Sequence, residues 1–166
     1  MSTFTQPGTR QGAEQVTTPS APPAGAIDPR GPQLTAALTA VVLIAVLLTT
    51  PPVATAILAV QAVLFAIGAD AGVQRTPHAW LFRTLVRPRL GPTTEWEAPE
   101  PPRFAQGVGL AFAVVGLVAY VAGATVVGQV AVGFALVAAL LNAIFRFCLG
   151  CEMYLLGRRL IAGPTA

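Results

Sequence analysis

Val130 to Arg159 reads VAVGFALVAALLNAIFRFCLGCEMYLLGRR. The run is apolar for most of its length, then delivers Arg146, Cys148, Cys151, Glu152, Arg158 and Arg159. A single buried helix of a soluble protein could look like this, but the rest of the chain could not. Of its 166 residues, 54% are hydrophobic and 10% charged. Soluble domains carry about 25% charge, which is what coats a wet surface. The solvent that fits this chain is lipid, and residues 130–149 are predicted to be its last membrane span. Asn142 is a costly polar group at that depth and is expected to hydrogen-bond to a neighbouring helix.

Upstream, the pattern repeats three times. Phe104 to Val127, FAQGVGLAFAVVGLVAYVAGATVV, is a third apolar run, with its span placed at 105–125. Gly109 and Gly116 lie seven apart, near one face, where small residues let helix backbones approach closely. Gly128-Gln129 is read as the tight turn into the last span. Leu34 to Thr50 and Val53 to Ala69 are uncharged runs of 17 residues each, on either side of Pro51-Pro52. At 1.5 Å per residue, each sits at the short end of what crosses a hydrocarbon core of about 30 Å. Two adjacent prolines remove two amide donors and clash with a preceding turn, so a turn is expected rather than a kinked helix. The fold class is therefore all-α: an integral membrane bundle of four transmembrane helices, built as two tight hairpins, over residues 31–162.

Two polar stretches remain. Residues 1–30 are rich in Thr, Pro, Gly and Gln, lack the apolar core of a signal peptide, and are expected to be a disordered tail. Residues 70–103 form the central loop. Within it, PHAWLFRTLVRPRLGP can place Trp80, Leu81, Leu85 and Val86 on one side and Arg83 and Arg87 on the other. That pattern suits a short interfacial helix anchored by Trp80, or else a loop with some helical turns. An internal echo relates the halves: Phe65-Ala-Ile-Gly-Ala-Asp70 against Phe147-Cys-Leu-Gly-Cys-Glu152. If it is a true repeat, the hairpins are related by an axis along the membrane normal.

Four spans put both termini and the central loop on one side. Nine of the ten arginines lie there, counting Arg10, Arg30, Arg75, Arg83, Arg87, Arg89, Arg103, Arg158 and Arg159, and the opposite turns carry no charge. The positive-inside rule then places both termini in the cytoplasm and the chain in the inner (plasma) membrane as a multi-pass protein. Cys148 and Cys151 emerge at the cytoplasmic end of the last span, where thiols are kept reduced and a permanent disulfide is not expected.

Cys-x-x-Cys is the spacing of redox-active dithiols and of half a zinc site. A full zinc site takes four ligands, and the one histidine is His78, so a single-chain site would need Cys148, Cys151, Glu152 and His78 together. No metal and no cofactor is expected. For redox work the placement is awkward: soluble oxidoreductases open a helix with this motif, where the dipole favours a thiolate, whereas here it is read as closing one. Arg146 can offset that as a counter-charge or simply snorkel to the headgroups. Glu152 can accept a proton, and Gly150 can supply freedom to move. The plain alternative is two small apolar residues in lipid.

Three stretches, Leu81 to Leu90 (LFRTLVRPRL), Pro101 to Gln106 (PPRFAQ) and Leu141 to Glu152 (LNAIFRFCLGCE), resemble a family of small four-span membrane proteins common in actinobacteria and known only as a domain of unknown function. The resemblance covers about residues 28 to 160. Family members often neighbour genes for thioredoxin-like proteins and thiosulfate sulfurtransferases, which implies a link to thiol or sulfur metabolism. It carries over no catalytic residues. The first functional reading is thus thiol-redox or sulfur handling at the cytoplasmic face. Cys148 and Cys151 would be the reactive pair, Glu152 the proton acceptor and Arg146 the charge partner, with a thioredoxin-like or sulfurtransferase protein as partner. The second is a non-catalytic scaffold or complex subunit. The third is a small-anion transporter, which four short spans would form only as a homo-oligomer. The sequence does not decide whether the chain is an enzyme. The lipid bilayer is its expected surroundings, and a scattered net charge of +3 argues against nucleic acid.

Overall fold

The computed structural model of the protein describes residues 25–162. The first 24 residues of the expected tail lie outside them. The described chain is all-α, with helices α1 (Arg30–Leu48), α2 (Pro51–Asp70), α3 (Pro77–Leu81), α4 (Glu100–Val121), α5 (Thr125–Phe145) and α6 (Leu149–Ala162). By length and composition α1, α2, α4 and α5 could each cross a membrane. They close a ring, α1 on α2, α2 on α4, α4 on α5 and α5 back on α1, and α6 packs on α4. The starts of α1 and α4 and the ends of α2 and α5 therefore share one rim.

The two turns at the opposite end are short for different reasons. α1 ends at Leu48, and the Thr49 hydroxyl donates to the Ala45 carbonyl at 2.9 Å. Pro51 and Pro52 are not the turn but the first residues of α2, where a missing N–H costs nothing and a fixed φ favours the helix. The second turn is Ala122 to Ala124, not Gly128-Gln129 as the sequence suggested. Gly123 has φ +76°, a left-handed backbone that glycine adopts without penalty. Gly128 lies inside α5 instead, and a Cβ there would stand 3.1 Å from the Tyr120 ring. It serves the approach of α5 to α4, and α5 starts five residues before the expected 130.

A narrow seam runs down the ring. Leu43 and Val46 of α1 meet Ala54, Leu58, Ala62 and Phe65 of α2, Ala113 and Tyr120 of α4, and Val132 and Ala135 of α5. The paired glycines of α4 behave as their spacing predicts. A Cβ on Gly109 would come within 2.8 Å of the Phe65 ring, and one on Gly116 within 2.9 Å of Leu58, so α2 seats against backbone. Outside the seam, apolar side chains face outward: Val41, Val60, Val118, Val126, Phe134 and Ile144 are each 41% exposed or more, a surface unfit for water. One polar side chain sits in the seam itself. Gln61 of α2 is 1% exposed, and its Oε1 finds no donor among the described residues.

At the charged rim, the segment between α2 and α4 is tied down at several points. The Arg103 guanidinium donates to the Ala69 and Asp70 carbonyls, covering the end of α2. Ile27 is buried and exchanges two backbone hydrogen bonds with Glu97, at 2.9 and 3.0 Å, so the last residues of the expected tail are ordered. Thr76 caps α3 by accepting from the Ala79 N–H at 3.3 Å. Further helical turns carry the chain on to Arg89. The residue that docks this segment is Phe82, buried against Gly31 of α1 and absent from the apolar side expected from the sequence. Trp80 and Leu85 stand exposed. The internal echo is not a structural repeat: Phe65 to Asp70 closes α2, whereas Phe147 to Glu152 straddles a break and opens α6.

Candidate functional site: a cysteine pair at a helix start

The break before α6 is the main departure from the sequence reading. The last long helix ends at Phe145, four residues before the expected 149. Arg146 takes φ 57° and ψ 21°, alone among the described non-glycine residues in having a positive φ. Its N–H donates to the Asn142 carbonyl at 3.1 Å, and the Phe147 N–H donates to the Leu141 carbonyl at 3.3 Å. The departing chain thus satisfies carbonyls that the end of α5 would leave bare. Left-handed backbone at a residue with a Cβ costs on the order of 1–2 kcal/mol, so the turn must be held by the packing of the next helix.

That helix is α6, and Cys148 stands just before its first residue. The Cys151 N–H donates to Cys148 Sγ at 3.3 Å, the bond a side chain makes when it caps a helix start. The Glu152 N–H donates to the Cys148 carbonyl at 3.0 Å, closing the first turn. The motif therefore opens a helix rather than closing one, and the dipole objection is reversed: the positive end of α6 points at Cys148. The two sulfurs are bonded as a disulfide, with Cα atoms 5.2 Å apart.

Gly150, between them, has a role other than mobility. It is buried, and a Cβ there would lie 2.7 Å from both the Cα and the Cβ of Ala105 in α4. The cysteine helix is thus pressed against α4 at this point, with the Tyr154 and Phe104 rings meeting one turn on at 5.7 Å. Along α6, Leu149, Met153, Leu156 and Leu160 form an exposed apolar row.

A cavity of about 340 Å³ runs from this corner into the bundle. Cys148, Cys151 and Arg146 line it, so three of the four expected site residues come together. Glu152 does not line it. It is exposed in the first turn of α6, where a carboxylate complements the helix dipole. Asn142 also faces the cavity. The tie between α1 and the end of α5 is made instead by Gln33, whose Nε2 donates to the Ala143 carbonyl at 2.9 Å. His78 lies in α3 rather than among the cavity's lining residues, and partial burial lowers its pKa from the ordinary 6.5. Among the described residues, no three His, Cys, Asp or Glu side chains converge in a way that could hold a metal ion. Glu95 and Glu97 lie on the cavity's rim side, and desolvation, with the neighbouring Glu95 carboxylate second, raises the Glu97 carboxyl above the usual range.

Sequence reasoning missed the cavity and its floor. Thr35 and Thr39, both buried, and Gln106 contribute to it. The available signal was that α1 and α4 carry their few polar residues in the half nearest the charged rim.

No curated protein and no solved structure matches the chain. A family model described as a domain of unknown function, DUF4395, matches residues 27–159. That stretch takes in the Ile27 strap, all four long helices and the cysteine-bearing start of α6, and on that match the chain belongs to the DUF4395 family.

Proposed function

We propose that this chain is a multi-pass protein of the inner membrane, both termini cytoplasmic, that exchanges electrons with a soluble thioredoxin-like or sulfurtransferase partner through Cys148 and Cys151. The observation that carries this reading is the helix start: a Cys-x-x-Cys pair whose first sulfur accepts the Cys151 N–H at the positive end of a 14-residue helix. Such a position favours thiolate over thiol and so supplies the nucleophile of disulfide exchange. In the exchange, a partner thiolate attacks one sulfur of the pair and forms a mixed disulfide. The partner's second thiol then releases it, leaving the partner oxidised and Cys148 and Cys151 as a dithiol. Electrons and protons balance within the two pairs. Arg146, facing the same cavity, is the counter-charge to the thiolate, and the exposed Glu152 passes protons to water. The positive rim supports the orientation, since every described arginine lies at the end that carries the cysteines. The exposed apolar row of α6 suits the headgroup layer.

Thiol trapping in native membranes tests the proposal. Mass spectrometry after alkylation should find the pair shifting between disulfide and dithiol on adding a reduced thioredoxin-like protein, or carrying a persulfide after thiosulfate. Thiols inert to both treatments would end the redox reading. Full complementation of a deletion by Cys148→Ser and Cys151→Ser would hand the function to the scaffold alternative.

A further inference from the structure

We infer that the cavity beside the cysteine pair binds the ring of a membrane-soluble quinone, which takes two electrons and two protons from the Cys148–Cys151 dithiol. The inference rests on the thiol-exchange reading above and adds the second substrate. A dithiol reduced from the aqueous side needs a two-electron acceptor to be used again. The walls of the cavity, and the depth at which they lie, identify the acceptor.

The cavity's volume of about 340 Å³ falls in the range of sites for small organic ligands. Its depth matters as much. Thr39 lies nine residues into α1, about 14 Å from the rim at 1.5 Å per residue, and Phe112 and Phe134 lie as deep on α4 and α5. The space therefore runs from the cysteines to the middle of helices that could span a membrane, where a ligand arriving through lipid is better served than one from water. Its walls are aromatic and small: Phe65 nearer the rim, Phe112, Gly109 and Ala138 deeper, and the outward-facing Phe134 closing the edge, its ring 6.2 Å from that of Phe112. These suit a flat ring. Its uncharged polar groups, Thr39 at depth and Gln106 and Asn142 nearer the rim, are two amides and a hydroxyl, the donors a pair of ring carbonyls would use, while the Gln33 amide is engaged with the Ala143 carbonyl. The charged side chains that line it, Arg30, Glu95, Glu97 and Arg146, belong to the rim, so a carrier bearing phosphates finds no counter-charge inside.

The step balances. The two S–H bonds of the dithiol are lost and one S–S bond forms. The two electrons and two protons go to the quinone oxygens, giving the hydroquinone. The soluble partner then restores the dithiol.

The full chain in lipid nanodiscs, reduced and freed of reductant, tests this. The probe is a benzoquinone with every ring position substituted and a ten-carbon tail, so that a thiol has no ring C–H position to add to. Glutathione disulfide, which approaches from water, is the control oxidant. Pair oxidation is read by alkylation mass and hydroquinone by absorbance. In the unaltered chain both oxidants should close the disulfide, with one hydroquinone formed per pair. Ala138→Phe, which fills the cavity from α5, should slow the quinone reaction about 10- to 100-fold and leave glutathione disulfide effective. An azido derivative of the same quinone should label peptides from residues 106–112 or 134–139. Oxidation by glutathione disulfide alone overturns the quinone inference and leaves the thiol reading standing. Oxidation by neither overturns both. A variant as fast as the parent, or a label confined to residues that do not line the cavity, removes the cavity as the site. Where Ala138→Phe fails with both oxidants, the label decides.

Discussion

Arg146 combines a backbone role and a charge, and the two can be separated. Its left-handed φ costs on the order of 1–2 kcal/mol that glycine would not incur. Arg146→Gly should therefore raise the thermal midpoint of the detergent-purified protein, while Arg146→Ala keeps the backbone cost and does not. Both remove the charge, so both should slow alkylation of the reduced pair alike. If only the alanine form slows it, the guanidinium is not the thiolate's partner. Glu97 offers a test by pH. Its carboxyl is raised above the ordinary 4.5 by desolvation and by Glu95, so the folded protein binds that proton more tightly than the unfolded chain does. Its contribution to stability is complete below about pH 4.5 and is lost as pH rises through the raised value. Glu97→Gln should flatten that part of a thermal-midpoint profile. A parent profile already flat between pH 4 and 7 would refute the strap's desolvation. Gln61 is a third case. Its buried Oε1 finds no donor among the described residues, and such a group costs about 1–3 kcal/mol, so Gln61→Leu of similar volume should stabilise the bundle. A lower midpoint would mean that the amide is held by a contact the bundle needs.

The helix that bears the cysteine pair meets α4 most closely at Gly150. A methyl on Gly150 would stand 2.7 Å from the Ala105 backbone, which cannot yield as a flexible side chain would. Gly150→Ala should destabilise by about 1–3 kcal/mol and loosen α6, measured as a lower midpoint and faster alkylation of the reduced pair. Gly157, on the same helix, has nothing within 4 Å of its would-be Cβ, so Gly157→Ala should stabilise by about 1 kcal/mol. Equal behaviour of the two substitutions would mean that α6 is not docked on α4. The start of α6 was hard to read because Ile144-Phe-Arg-Phe-Cys148 holds no proline and no glycine, and nothing local forbids a continuous helix. The trace that was present lies further on. Leu149, Met153, Leu156 and Leu160 recur at helical spacing among polar residues, an amphipathic pattern unlike the uniformly apolar run before it. The second turn was misread for a related reason. Gly123 and Gly128 are identical as letters, and only the ring of Tyr120 distinguishes a glycine needed for contact from one needed for a turn.

Four long apolar helices were legible from charge and hydropathy alone, because lipid as solvent acts on whole segments. The cavity was not, because it depends on which faces of five helices meet. Which side of the membrane receives the cysteines is set by the same segment-level logic and can be measured directly. The chain holds two cysteines, both at the start of α6, so any thiol label reports on that corner. After a membrane-permeant reductant, a charged maleimide should label the protein in inverted vesicles and not in intact cells with a permeabilised outer layer. The proposed orientation predicts this outcome from the arginines: Arg30, Arg75, Arg83, Arg87, Arg89, Arg103, Arg158 and Arg159 stand at the cysteine end, and the two opposite turns are uncharged. Basic residues near span ends are retained on the cytoplasmic side, so eight would have to cross for the reverse arrangement. Labelling in intact cells would put the pair on the extracytoplasmic side, and the proposed thiol partner would then have to be sought there.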